Sequence, residues 1–404
     1  MGVVNPTAHY LRPGTLRIEP LPPLALYVHL PWCIAKCPYC DFNSHALAAA
    51  APPEQAYVDA LLADLDAALP LVWGRRVVSI FIGGGTPSLF SPDAIARLIG
   101  ELRARLPLLP ACEITLEANP GTFERERFRA FAQAGVTRLS VGVQSFDDAA
   151  LQRIGRVHDG AQARAAVEEA ADAFATFNID LMYALPGQDL AALQRDLDTA
   201  LGYRPPHLSI YHLTIEPNTR FAVAPPVLPD DDLAADMLDA IAERTAASGL
   251  LRYEVSAFAR ARHRCTHNLN YWQFGDYLGI GAGAHSKISF PQRVLRQVRW
   301  REPAAYRQQA LAGTAVSNEH EVPRRDLPFE FMLNASRLRD GFELSGFTRT
   351  TGLPLSTLLP TLEQAAQQGL VDIDQPPPPA EATVRPTDRG FDFLNRLQQM
   401  FLPT

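Results

Sequence analysis

A chain of 404 residues has room for two or three domains, although an α/β barrel absorbs roughly 200 residues or more as one. Hydrophobic residues make up 47% and charged residues 20%, the composition of a soluble protein with a substantial core, and the net charge of −7 excludes a broad basic face for nucleic acid. The first stretch, Met1 to Pro23, lacks the apolar centre of a signal peptide and reads as an irregular arm. No run approaches the ~18 apolar residues of a transmembrane helix, which leaves only peripheral membrane contact open. Three of the five cysteines fall within eight residues. Clustered thiols suit a metal site in a reducing cytoplasm better than a set of disulfides.

From Leu24 to Ile215 short apolar runs alternate with longer amphipathic ones. The runs Leu24–Leu30, Val77–Ile82, Glu113–Glu117, Thr137–Val143, Asn178–Met182 and Leu208–Leu213 have the length and Gly or Pro borders of buried parallel strands. The stretches Glu54–Leu69, Pro92–Leu106, Glu124–Ala134, Ala161–Phe174 and Leu190–Leu201 are the helices between them. The fold class is therefore α/β: an open (β/α)6-type partial barrel over residues 24–225, following the arm 1–23, with its chemistry at the C-terminal strand ends. The Pro- and Asp-rich segment Pro225–Asp232 reads as a linker, leading to a helix at Leu233–Ser248 and a strand at Arg252–Ser256 within an extension, 226–301. Residues 302–404 change pattern to helices and short strands, with a proline run Pro376–Pro379 in a hairpin loop and a helical tail Pro386–Met400. That order suggests a winged-helix-like module. Its candidate recognition helix, Leu355–Gln368, has no Arg or Lys, which argues against DNA.

The first strand runs directly into Cys33-Ile34-Ala35-Lys36-Cys37-Pro38-Tyr39-Cys40-Asp41-Phe42. Three thiolates on one tight loop can hold a 4Fe–4S cubane and leave one iron open. The alternative is structural zinc, with His29 or His45 as a fourth ligand. After the second strand comes Gly83-Gly84-Gly85-Thr86-Pro87, where glycines let backbone approach a ligand and expose its N–H groups. Glu117 ends the third strand and Gln144 the fourth. Arg156 follows Gln144 by a short stretch, and its guanidinium can fork onto a carboxylate. Asp180 is charged inside an apolar strand, so it needs a partner, either in a ligand or in the protein. Arg153 and His158 read as surface or supporting residues, and Cys112 as core.

The cysteine loop and its place after the first strand resemble the signature of the radical-SAM family. The resemblance implies a 4Fe–4S cluster on Cys33, Cys37 and Cys40 with S-adenosylmethionine on its open iron. It implies that Tyr39 packs on the adenine, that Tyr27 is a further contact unless it is barrel core, and that Gly84, Gly85 and Thr86 hold the amino group. Glu117, Gln144, Arg156 and Asp180 complete the implied cofactor set.

Within that family the chain resembles oxygen-independent coproporphyrinogen III dehydrogenases, and more closely HemW-type heme chaperones. The strings that carry this are His29-Leu30-Pro31-Trp32-Cys33, Cys37-Pro38-Tyr39-Cys40-Asp41-Phe42-Asn43-Ser44-His45 and His267-Asn268-Leu269-Asn270-Tyr271-Trp272. The dehydrogenases have a further cysteine where this chain has Phe42, and a longer N-terminal region. The resemblance implies a protein that binds heme and delivers it to acceptor hemoproteins, some of them respiratory. His267, Asn268, Tyr271 and Trp272 are its expected heme residues, since aromatic faces cover a porphyrin and imidazole binds its iron. The alternative reading of His267 is a hydrogen-bonded structural residue; that of Cys265, a competing ligand, is a small buried one. Tyr277 to Ser286 resembles the family stretch that closes one side of the barrel mouth; its small residues allow close approach to a cofactor or porphyrin, and the resemblance would let His285 face the same space.

Overall fold

Leu24 to Leu30 is apolar at nearly every position, and only Tyr27 among its residues is not buried. A strand covered on both faces reads this way, and this one has a parallel neighbour on either side. The computed structural model describes residues 16–48, 51–121, 125–374 and 379–403. The first part of the arm, Glu124 at the expected start of the third helix, and Pro376 to Pro378 lie outside the described residues.

One open twelve-stranded sheet runs through the structure. Its strands are β1 (Leu24–Leu30), β2 (Val77–Gly84), β3 (Leu108–Ala118), β4 (Arg138–Gln144), β5 (Phe177–Tyr183), β6 (His207–His212), β7 (Leu251–Arg252), β8 (Ala257–Ala259), β9 (Asp276–Gly281), β10 (His285–Phe290), β11 (Arg293–Arg299) and β12 (Val316–Glu321). They lie in the order β12-β11-β10-β9-β1-β2-β3-β4-β5-β6-β8-β7. Strands β9 and β1 to β6 are parallel throughout, and the pairs beyond them on either side are antiparallel. The expected six units are present, and the sheet does not close. A seventh parallel strand, β9, pairs with β1 from far along the chain, Leu24 opposite Asp276.

Helices α1 (Glu54–Ala68), α2 (Pro92–Arg105), α3 (Arg125–Gln133), α4 (Gly160–Ala173) and α5 (Leu190–Gly202) supply the crossovers. Their starts are fixed by side-chain caps: Ser91 for α2, Asp159 in a reciprocal box with Gln162 for α4, and Asp189 for α5. α6 (Asp231–Ala247) is capped by Asp230. The strand expected over Arg252–Ser256 is instead two short strands, β7 and β8. Between them Glu254 turns inward, accepts from Ser256 N and pairs with Arg337, so the chain cannot stay extended there.

The C-terminal module has its own core, in which Phe331 meets Phe274, Phe342 and Phe347 edge to face. Helices Leu327–Ala335, Leu344–Thr351 and Leu359–Gln367 pack on a three-stranded sheet of Phe342–Glu343, Thr383–Pro386 and Val371–Ile373. This is the winged-helix-like arrangement the sequence suggests. Leu16 and Ile18 belong to the same core and hydrogen-bond Gln292 and Pro291. Among the described residues no helix is long and apolar enough to cross a membrane.

Candidate functional site

The cysteine loop is tied at its neck. Trp32–Cys33 pairs with His45–Ala46, His45 N donates to Pro31 O at 2.7 Å, and Leu47 N donates to Cys33 O at 2.9 Å. Asn43 anchors it from outside, donating to Ala282 O and Arg301 O at 2.9 and 2.8 Å. Gly155, at φ 70°, packs under Pro38, and a Cβ there would come within 2.5 Å of the proline ring. Each thiol meets a polar neighbour from a different element: Thr86 Oγ1 3.5 Å from Cys33, Arg156 Nη1 3.7 Å from Cys37, Ser44 Oγ 3.5 Å from Cys40. All three cysteines are free and half-buried. No three His, Cys, Asp or Glu side chains among the described residues converge on a single ion. Three thiolates that each bind a different iron of a cubane need no such common point.

The thiols line one cavity of ≈ 370 Å³. Tyr39, Gly84, Gly85, Thr86, Glu117, Gln144, Arg156 and Asp180 line it too. The structure thus brings together eight of the nine residues expected around S-adenosylmethionine; Tyr27 is not among them. It lines a neighbouring cavity, and its hydroxyl meets His29 Nδ1 at 2.9 Å.

The glycines after β2 make contacts other than those expected. Gly84 N donates to Glu117 Oε2 at 3.1 Å, Gly85 N to Leu30 O at 2.8 Å and Thr86 N to Trp32 O at 2.7 Å. A Cβ on Gly85 would fall 2.5 Å from Trp32 O. The lack of side chains lets this turn press against the cysteine loop, and its N–H groups are spent on Glu117, Leu30 and Trp32. Arg156 is likewise engaged, donating through Nη2 to Asn119 Oδ1 and Gly142 O at 2.7 Å each, while its Nε is buried without a partner. Gln144 sits at φ 69°, where the β4–β5 register shifts. Asp180 accepts from Ser140 Oγ at 3.0 Å and Asn178 Nδ2 at 2.7 Å, so it has protein partners as well as a face on the cavity. Burial, with Asp180 nearby, pushes the Glu117 carboxyl up to about 8, against the opposing pull of the Gly84 N–H.

Asn119, which bridges Thr86 and Arg156, was not singled out by sequence, nor were Tyr211 and His212 from β6, which also line the cavity. Asn119 lies two residues past Glu117 at the end of β3, and the rule for strand ends could have found it. Of the two readings of His158, surface or supporting, the structure agrees with the second: it is buried and hydrogen-bonds Val143 O at 3.0 Å.

The helix Thr266–Trp272 splits the expected heme residues between two faces. His267 and Tyr271, one turn apart, point under the sheet. His267 is 3% exposed, meets Ser79 Oγ at 3.2 Å and touches the rings of Phe81, Tyr27 and Tyr271. Burial lowers its pKa to about 3. It lines neither of the two cavities, which agrees with the structural alternative. Trp272 faces the C-terminal module, with the Arg337 guanidinium 4.2 Å over its ring. Asn268 is half-buried beside it in sequence register. Cys265 caps this helix and is buried against Glu113.

An unpaired buried guanidinium nitrogen, three free thiols and polar groups on one cavity wall form a donor set suited to a thiolate-bound cluster and a charged organic cofactor. The radical SAM superfamily profile matches residues 27–200, and that of the HemN C-terminal domain matches residues 322–393. The structure of coproporphyrinogen III oxidase (HemN) from Escherichia coli, a radical SAM enzyme, superposes with a TM-score of 0.79 at 25% identity, over 95% of this chain and 91% of that one. The fold is the radical-SAM α/β fold joined to a HemN-type C-terminal domain. The curated heme chaperone HemW of Escherichia coli is 46% identical over 384 residues, spanning 95% of this chain and 99% of the relative. That of Bacillus subtilis is 33% identical over 354 residues, 85% and 92% of the two chains. The chain belongs to the HemW family.

Proposed function

We propose that this protein is a heme carrier that binds heme and passes it to acceptor hemoproteins, and that it holds a 4Fe–4S cluster on Cys33, Cys37 and Cys40 with S-adenosylmethionine beside it. The observation that carries the cofactor half is the shared cavity, onto which three thiols and eight expected contact residues open. The carrier half is supported by the names of relatives that are 46% and 45% identical over 95% of the chain. Phe42, 63% exposed where the dehydrogenase-like pattern has a cysteine, supports it too.

A bound cluster supplies one-electron reducing chemistry to the sulfonium. The protein's own groups do the rest. Arg156 sets the Cys37 side of the loop and carries the positive charge that a carboxylate seeks. Glu117, uncharged near neutral pH, offers a hydrogen bond without repelling an anion. Asp180 is held by Asn178 and Ser140 in one orientation toward the cavity. The second reading, a radical decarboxylase of coproporphyrinogen, is favoured by the likeness to HemN over the full chain.

One experiment separates the two. The chain is reconstituted anaerobically, loaded with heme, and mixed with an apo-hemoprotein, while a parallel sample is offered coproporphyrinogen and reductant. The acceptor should recover activity, and no carbon dioxide should form at a catalytic rate. Changing any of Cys33, Cys37 or Cys40 to Ala should abolish the 4Fe–4S absorption, whereas changing Cys112 or Cys265 should not. Four irons and four sulfides retained in Cys33→Ala would refute the ligand set. Catalytic decarboxylation without transfer would refute the carrier.

A further inference from the structure

Beside the cluster cavity lies a second one of ≈ 530 Å³, within the size range of small-molecule sites. The two share Asp41, Phe42, Gly84 and Glu117 as a common wall. The second cavity is lined by Tyr27, Tyr271 and Tyr277, the last two stacked with ring centroids 4.1 Å apart at 26°. At its mouth stand His285 and Arg301, both exposed. Among the described residues the His285 imidazole has no hydrogen-bond partner and the Arg301 guanidinium no ion pair.

The other imidazoles nearby are taken. His29 Nε2 meets Asn43 O at 2.9 Å and its Nδ1 meets Tyr27. His45 meets Asn43 Oδ1 at 3.3 Å. His267 is enclosed by Ser79 and three aromatic rings and has no opening to either cavity. His285 is placed where it is by close packing: the glycines of β9 and the turn after it are filled by the protein itself. A Cβ on Gly279 would fall 2.1 Å from His285 O, and one on Gly283 would fall 2.6 Å from Asn43 Nδ2.

We infer that this second cavity is the heme site, with His285 as the axial ligand to iron, the tyrosine wall against the porphyrin plane and Arg301 at the propionates. This rests on the carrier reading above and departs from the expectation that His267 binds the iron. Three features that one metalloporphyrin satisfies together meet here: an apolar aromatic wall, a free nitrogen lone pair and an unpaired cation. The bond formed is a coordination bond from a neutral imidazole, displacing at most water, so no electron changes hands. The common wall sets the porphyrin edge beside the cluster cavity, with Phe42 and Glu117 between them.

The test is a hemin titration of the full-length, cluster-reconstituted chain, followed at the Soret band. His285→Ala should weaken binding by at least about tenfold and move the band, and added free imidazole should restore its position. Arg301→Glu should weaken hemin by a similar factor and leave hemin dimethyl ester, which has no propionate charge, unaffected. Both positions are exposed, and unchanged 4Fe–4S absorption and S-adenosylmethionine affinity verify folding. Wild-type affinity and band in His285→Ala, or loss of the band confined to His267→Ala, would overturn the assignment. Failure of the wild-type chain itself to bind hemin would instead strike the carrier reading.

Discussion

Single residues in this site do two jobs, and the sequence shows only one of them. Arg156 and Asp180 stand out as charges in the right places, yet which neighbours they hold depends on Asn119 and Asn178, amides with no chemistry of their own to draw attention. The glycines after β2 are legible as special, but not their reason, because the group that would clash with a side chain, Trp32 O, comes from another loop. Glu117 is the residue whose environment has the clearest measurable consequence. Its carboxyl is pushed up to about 8 from 4.5. Between those pH values the folded chain keeps a proton that the unfolded chain has released, so this residue's contribution to stability falls as pH rises through the window. The slope approaches about 1.4 kcal/mol per pH unit at most. Glu117→Gln keeps an acceptor for Gly84 N–H and removes the titration. In urea unfolding of the cluster-free protein, the gap between variant and wild type should widen in favour of the variant from pH 5 to pH 8. Parallel stability curves would show that Glu117 is already ionised in the fold.

At the level of elements, the parallel strands and their helices were readable to within a residue or two wherever an apolar run stood between Gly or Pro borders. β3 was the exception: Leu108 to Cys112 carries a proline and no alternation, and its pairing begins only because Val77 of β2 lies opposite. The place of β9 to β12 was not readable, since β9 joins the far side of β1 and local pattern says nothing about a partner that distant. Once there, β9 is locked by charge. Asp276, fully buried, pairs with Lys287 of β10 at 2.9 Å and Arg75 at 2.8 Å, and also accepts from Ser289. Lys287 adds carbonyl acceptors at Phe274 and lies 4.0 Å over its ring. Asp276→Ala strands a buried ammonium and should cost about 3–5 kcal/mol in denaturant unfolding. The double change Asp276→Leu with Lys287→Met removes both charges and should recover much of the loss. No recovery would mean that Arg75, rather than Lys287, is the partner that matters.

For the molecule as a whole, the C-terminal module is attached through the same helix that carries the expected heme motif. Arg337 lies over Trp272 and pairs with Glu254 at 3.0 Å, while Arg339 N donates to Tyr253 O. Trp272 is therefore a docking residue in this structure, which the sequence alone could not separate from its neighbour Tyr271. Arg337→Ala leaves Glu254, 3% exposed, without its cation and should lower the thermal midpoint by several degrees, on the order of 2–3 kcal/mol. Cluster absorption should be retained, because Arg337 touches no residue of the Cys33–Cys40 loop; loss of both together would show that module and cluster loop unfold as one unit. The position of β1 has a further consequence, for the order in which the protein is made. One neighbour of β1 follows soon in the chain, but the other is Asp276–Gly281, and the side-chain N–H groups of Asn43 in the cysteine loop go to the carbonyls of Ala282 and Arg301. A ribosome that has released the three cysteines must still extend the chain by well over half its length before those last anchors of the loop exist. Such sequence-distant pairing is slow and leaves a strand edge bare meanwhile. A cluster delivered during translation would meet a trio of thiols without those anchors, so on the proposed reading it would be added to a nearly finished chain.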